Sequence, residues 1–229
     1  MEASPVGDVV AVGSCDHCDH DVQLWNVKSG TLVRRFALTP ECVESLSFSP
    51  DGTLLATGAY SCCSGQGVQV WDVRSGNLVR DLPAGLAVRH VVFGGDGRWV
   101  AAVSDRGTAS VFDWPSGRLL HTFGGLAMAG YLGPAVIASR DGRYLAWLRG
   151  DPRVWDLESG AEVPLPDMAS EGQPVAEFLN DGRLAYANGG QMVVMRLPVG
   201  PAQVVPLAKL ESLRIHRVGR CRIGTAGLG

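Results

Sequence analysis

Long apolar runs are missing from these 229 residues: no stretch approaches the roughly 20 uninterrupted apolar residues that a helix needs to cross a bilayer, so no membrane partner is expected. The N-terminus, Met1-Glu2-Ala3-Ser4-Pro5, lacks a basic segment followed by an apolar one. No secretory leader is visible there, and a cytoplasmic location is the expectation. Lysine is almost absent, Lys28 and Lys209 being the only two among 20 basic residues. A nucleophile elbow, a phosphate loop and a dinucleotide fingerprint are missing too, which removes the usual sequence signs of hydrolases and nucleotide enzymes. Charged residues make up only 19% and hydrophobic ones 46%, a balance that excludes a disordered chain. Glycine is the exception to this scarcity, at 30 residues, and fits short buried strands joined by tight turns.

What the chain does contain is one pattern five times over. An apolar strand, a polar turn ending in Gly, a second apolar strand and a third strand closing on an aromatic-plus-acid pair recur in order. The turn reads Ser4-Pro5-Val6-Gly7, Ser49-Pro50-Asp51-Gly52, Gly94-Gly95-Asp96-Gly97, Ser139-Arg140-Asp141-Gly142 and Leu179-Asn180-Asp181-Gly182, its glycines 45, 45, 45 and 40 residues apart. The pair reads Trp25-Asn26, Trp71-Asp72, Phe112-Asp113, Trp155-Asp156 and, degenerate, Met195-Arg196, at intervals of 46, 41, 43 and 40. Two anchors keeping step at this period mean a repeat fold. The second strands, such as Leu54 to Thr57 and Trp99 to Val103, are continuous apolar runs, the mark of strands covered on both faces.

The segment from Val43 to Leu82, VESLSFSPDGTLLATGAYSCCSGQGVQVWDVRSGNLVRDL, resembles a WD-repeat blade, because the Ser-Pro-Asp-Gly turn, the Trp-Asp pair and the following Ser-Gly turn stand at that family's spacing. The resemblance runs from about Ser4 to Leu207. It implies an all-β chain, a β-propeller of about five four-stranded blades, forming either a closed ring or an arc of a larger propeller. The expectation is one domain over 1–229, with repeats near 1–38, 41–83, 86–124, 133–165 and 173–208 and a partial sixth at 211–229. The chain opens inside the Ser-Pro turn, so the first blade is expected to lack its own first strand. Ser212 to Gly219 lines up with Ser45 to Gly52 and is the candidate to complete that blade, within the chain or across to another one. The family's usual His before the first strand is not traceable here, where Pro40-Glu41-Cys42 stands instead.

Charge is uneven along the chain. Residues before Lys209 carry −7, whereas Lys209 to Gly229 carries +4 from five basic residues against Glu211. The tail is short and has no aromatic residue for base stacking, so no nucleic-acid partner is expected.

The residues able to carry chemistry are few. Acids fall at turn and anchor positions that the repeat itself explains, and His90 and His121 lie in or beside strands. Cysteine is the exception: Cys15 and Cys18, with His17 and His20 between and after them, then Cys42, then Cys62-Cys63. Propeller topology implies that these loops open on one face. Cys15 and Cys18 with Cys62 or Cys63, and Cys42 or His20, would meet the four-ligand need of zinc, although the second half lacks paired spacing. A dithiol at Cys15 and Cys18 and ordinary unligated thiols are the other readings. No cofactor is expected beyond that zinc candidate. The resemblance implies a non-catalytic interaction scaffold that presents loop faces to a protein partner or neighbouring domain. The rivals are a propeller with a zinc or thiol site on the cysteine face and a propeller-type hydrolase or lactonase.

Overall fold

The computed structural model describes residues 1–13, 21–37, 42–60, 67–85, 87–126, 136–148, 152–165, 175–188, 191–197 and 203–206, and every regular element among them is a strand. Five four-stranded antiparallel sheets follow one another. The first holds β1 (Glu2–Ala3), β2 (Val9–Gly13), β3 (Asp21–Asn26) and β4 (Thr31–Ala37). The second holds β5 (Cys42–Phe48), β6 (Leu54–Tyr60), β7 (Val68–Asp72) and β8 (Leu78–Leu82). The third holds β9 (Val88–Phe93), β10 (Trp99–Ser104), β11 (Ala109–Asp113) and β12 (Leu119–Phe123). The fourth holds β13 (Val136–Ala138), β14 (Tyr144–Trp147), β15 (Arg153–Asp156) and β16 (Ala161–Val163), and the fifth β17 (Val175–Phe178), β18 (Arg183–Asn188), β19 (Gln191–Arg196) and β20 (Gln203–Pro206). Each sheet is a meander in sequence order.

The turn between first and second strands is built by its own side chains. In the second sheet Gly52 N–H donates to the Ser49 carbonyl at 2.8 Å and the Ser49 hydroxyl donates to Asp51 Oδ1 at 2.6 Å. Thr53 N–H donates to the same carboxylate oxygen, and Gly52 stands at φ +68°, which a side chain would strain. The third sheet has Gly94 where the first, second and fourth carry Ser, for a reason of space. A Cβ there would lie 2.6 Å from the Trp99 indole, whose Nε1–H reaches the Gly142 carbonyl of the next sheet.

Four buried apolar clusters hold the sheets together, and each spans one joint. The first to second sheet is joined by Val22, Leu24 and Phe36 against Leu46, Phe48 and Trp71, and the second to third by Val68, Val70 and Leu82 against Val88 and Phe112. The third meets the fourth through Val111 and Trp99 against Trp147 and Trp155, and the fourth meets the fifth through Tyr144 and Val154 against Tyr186 and Met195. A fully buried side chain of this size stabilises by about 1.5–3 kcal/mol, so these joints carry most of the fold. Among the described residues no such cluster joins the fifth sheet to the first. The fold is a β-propeller arrangement, and a closed ring is not seen.

Two details differ from the sequence reading. The first sheet has a first strand after all: Glu2 and Ala3 pair with Ala11 and Val10, so the chain begins just ahead of the Ser-Pro turn and not within it. Buried positions in β5 and β9 are spaced three and then two apart (Val43, Leu46, Phe48; Val88, Val91, Phe93) because each strand carries a bulge, at Glu44 and Arg89. The expected closing strand Ser212 to Arg217 lies outside the described residues.

Replacing Trp71, 7% exposed, with Ala should cost about 3–5 kcal/mol in denaturant unfolding. The same change at half-buried Trp25 should cost less than about 2 kcal/mol. Equal losses at the two sites would refute the difference in packing.

Candidate functional site

First strands of all five sheets line one central cavity of about 1230 Å³. The two bulges shape its wall. A bulge leaves its extra residue outside the ladder, and Glu44 and Arg89, at the same position of consecutive repeats, pair at 3.0 Å with their side chains 31% and 19% exposed. Below them Ser45 Oγ accepts from Val91 N–H at 3.1 Å and Ser47 Oγ from Phe93 N–H at 3.0 Å. The edge amides of β9 are thus satisfied by hydroxyls of β5, and the cavity wall is stitched at this joint. Sequence inspection missed the Glu44 and Arg89 pair. Its only trace was the spacing of three, which a strict two-residue period does not allow.

The two ends of the propeller are unlike. At one end the connections between first and second strands are nearly constant: 4–8, 49–53, 94–98, 139–143 and 179–182. At the other, second and third strands are joined by 14–20, 61–67, 105–108, 148–152 and 189–190, and successive sheets by 38–41, 83–87, 124–135 and 164–174. Length varies freely there, as it does where loops carry recognition and not structure.

At the constant end the acids are consumed by the turns. The Ser49 hydroxyl holds the Asp51 carboxyl below the ordinary aspartate range, and the Ser75 backbone N–H does the same for Asp72. Asp156, 7% exposed, is lowered chiefly by Arg143, which donates to it at 2.7 and 3.0 Å. His121 Nε2–H donates to the Leu157 carbonyl at 2.9 Å, and His90 lies edge-on to Trp147 at 6.0 Å. Burial raises the Glu2 carboxyl and the Tyr144 phenol.

Of the candidate metal ligands, Cys42 alone falls among the described residues. It opens β5 at the variable end, half-buried, and is disulfide-bonded. Zinc binding needs a thiolate, so the expected metal role of Cys42 would require that this bond be reduced first. Cys15, Cys18, Cys62, Cys63 and His20 lie outside the described residues, as does His17. Among the described residues no group of three or more His, Cys, Asp or Glu is placed to hold a metal ion.

Residues 30–72, spanning the second sheet's Ser-Pro-Asp-Gly turn and Trp-Asp pair, match the family described as WD domain, G-beta repeat. The WD-repeat resemblance holds. A Periodic tryptophan protein 2 homolog from Neurospora crassa is 38% identical over 60 residues, 26% of this chain but only 6% of that protein. Two solved structures share the fold at low identity. Kuenenia stuttgartiensis hydrazine synthase is similar at TM-score 0.66 and 16% identity, over 90% of this chain and 65% of that one. The Cps50 (Swd1) β-propeller domain of Myceliophteria thermophila is similar at TM-score 0.67 and 17% identity, over 90% and 69%. Residues 30–72 thus match a WD repeat, and the five sheets share the fold of a β-propeller.

Carboxyls held low in the fold add stability that is complete above the ordinary aspartate value of about 3.9 and is lost as pH falls through their lowered folded values. Thermal melts should therefore drop between about pH 5 and pH 2, and Asp156→Asn should flatten that acid limb. An unchanged limb would show that the Arg143 contact does not persist in solution. Separately, alkylation of the denatured, unreduced protein should mark fewer than the 6 cysteines present, and all of them after reduction. Complete labelling without reductant would remove the Cys42 disulfide and return that thiol to the zinc reading.

Proposed function

We propose that this chain is a non-catalytic interaction scaffold whose variable end recognises a protein partner. The contrast between the two ends carries the reading. One rim repeats a five-residue turn almost without change, with its polar side chains spent on the turn itself, while the other carries loops of two to twelve residues built on the same rigid blades. Propellers of the WD type commonly present such rims to proteins, and the coarse similarity to a WD-repeat protein supports the same use here. Catalysis would need acids or histidines free to meet a substrate. The described Asp51, Asp72, Asp156 and His121 are instead engaged in turns and joints. The chain spans a small fraction of the curated relative it matches, so partner and compartment are proposals. A cytoplasmic setting requires that the Cys42 disulfide be reduced there, because such bonds rarely persist in the cytosol.

Replacing 127–135 or 166–174 with short Gly-Ser linkers, which spares buried Leu126 and the packed Leu165, should leave the melting temperature within about 4 °C and abolish affinity capture of the partner from source cells. Val6→Ser, an exposed change at the constant rim, should leave capture intact. Loss of the partner with Val6→Ser alone would move the recognition surface to the wrong end. Steady turnover of a lactone or ester by the purified chain would replace the scaffold with the hydrolase reading.

A further inference from the structure

Ten large apolar side chains are exposed among the described residues, and six of them fall at the same two positions of three consecutive outer strands. Leu32 and Val33 stand near the start of β4, Leu78 and Val79 at the start of β8, and Leu119 and Leu120 at the start of β12, each between 37% and 51% exposed. The register explains their exposure. Leu32, Leu78 and Leu119 lie opposite Trp25, Trp71 and Phe112, and the ladder then shifts before Arg34, Arg80 and His121 resume it. Val33, Val79 and Leu120 are thus the extra residues of three bulges, left out of the pairing and spoiling the edge for a further strand. The fold does not demand this arrangement. In the fourth sheet β15 and β16 pair without a bulge, and Glu162 stands opposite Trp155.

Charge changes at the same boundary. Residues 27–35, 73–81 and 114–122, the hairpins that carry the apolar pairs, hold Lys28, Arg34, Arg35, Arg74, Arg80 and Arg118 against one acid, Asp81. The matching stretch of the fourth sheet, 157–163, holds Glu158 and Glu162 and no cation. Lys28 is paired with Asp8 and Arg35 with Asp21, but no ion pair among the described residues takes up Arg74, Arg80 or Arg118. On a body that carries −7 before Lys209, this is a local reversal of sign.

The three pairs form one belt. Arg34 Nη1 donates to the Ser75 carbonyl at 2.9 Å, just ahead of Leu78, and the Arg80 stem lies over Gly117, just ahead of Leu119. Each of these cations bridges from one apolar pair to the hairpin that carries the next. The connections 14–20, 61–67 and 127–135 leave from the opposite, variable end, and a five-residue strand separates the ends by about 17 Å. Lys209 to Gly229, at +4, shares the belt's sign and is repelled by it.

Aliphatic pairs interleaved with cations call for a ligand that offers aliphatic and anionic groups together. Nucleic acid supplies the anion, but its bases stack on aromatic faces, and no aromatic ring is among the exposed apolar side chains. A flat bilayer cannot touch three hairpins set around the outer wall of a propeller, whereas a peptide can follow the curve. We infer that the outer wall of the first three sheets docks an acidic segment of a protein partner in which pairs of aliphatic residues alternate with Asp or Glu. The exposed Leu and Val take the aliphatic pairs, and Arg74, Arg80 and Arg118 take the carboxylates. This surface lies apart from the variable end and goes beyond the scaffold reading given above.

A fluorescein-labelled peptide of Glu-Leu-Leu-Asp repeats should bind the purified full chain by anisotropy, more weakly as salt rises. Peptides with Lys in place of the acids, or Ser in place of the leucines, should bind about tenfold more weakly or worse. Leu78→Ser together with Val79→Ser should weaken binding about fivefold or more, and Arg74→Glu, at an exposed turn position, gives the same test should the paired change disturb β8. Glu162→Gln, outside the belt, should leave binding as it is. No binding, equal affinity for the Lys peptide, or affinity unchanged by both belt variants overturns the proposal. So does belt-dependent recruitment to phosphatidylserine vesicles without peptide binding, which would make the wall a membrane contact, or belt-dependent dimerisation, which would make it a contact between copies. Peptide binding should survive the replacement of 127–135, so that failure here and failure at the variable end are read separately.

Discussion

A sheet stacked between two others must be apolar on both faces, and nearly everything in this molecule follows from that requirement. It explains the continuous apolar second strands and the placement of Trp71, Phe112 and Trp155, each of which serves the joint behind its own sheet while Val68, Val70 and Val111 serve the joint ahead. It also makes the two terminal sheets special. Each has one face built for burial and no described neighbour to bury it, which is why half-burial of Trp25, Met192 and Val194 says more than any fully buried residue.

The joints are not apolar alone. Arg34 and His121 each satisfy a carbonyl on the following sheet, and Ser45 and Ser47 satisfy amides of β9 along the channel. Buried backbone groups left unpaired at these seams would cost about as much as an apolar contact gains, so the polar contacts set where one sheet sits on the next. Turn acids act within their own sheet, fixing the hairpins that carry the strands to the right height.

With packing and turns consuming the repeated residues, freedom is left at the variable rim. Loop lengths there follow no period, and four of the six cysteines, with His17 and His20, fall in the same connections. Cys42, which opens β5 beside those connections, is disulfide-bonded.

Much of this was legible from residues alone, because period and burial leave marks in composition. The five turns, the anchors and the all-β architecture could be read from glycine and tryptophan spacing, since each reflects a local backbone demand or one large side chain repeated per sheet. Even Arg34, Arg80 and His121 recur at 46 and 41 residues, the same intervals as the first three anchors, though nothing in their chemistry distinguished them from solvated charges. The Glu44 and Arg89 pair, the two-residue β1 and the half-burial of Trp25 were decided only by tertiary structure. A bulge, a strand of two residues and the lack of a neighbour among the described residues depend on how sheets are registered and spaced around a common axis, and that spacing is a property of all five sheets together which no single repeat encodes.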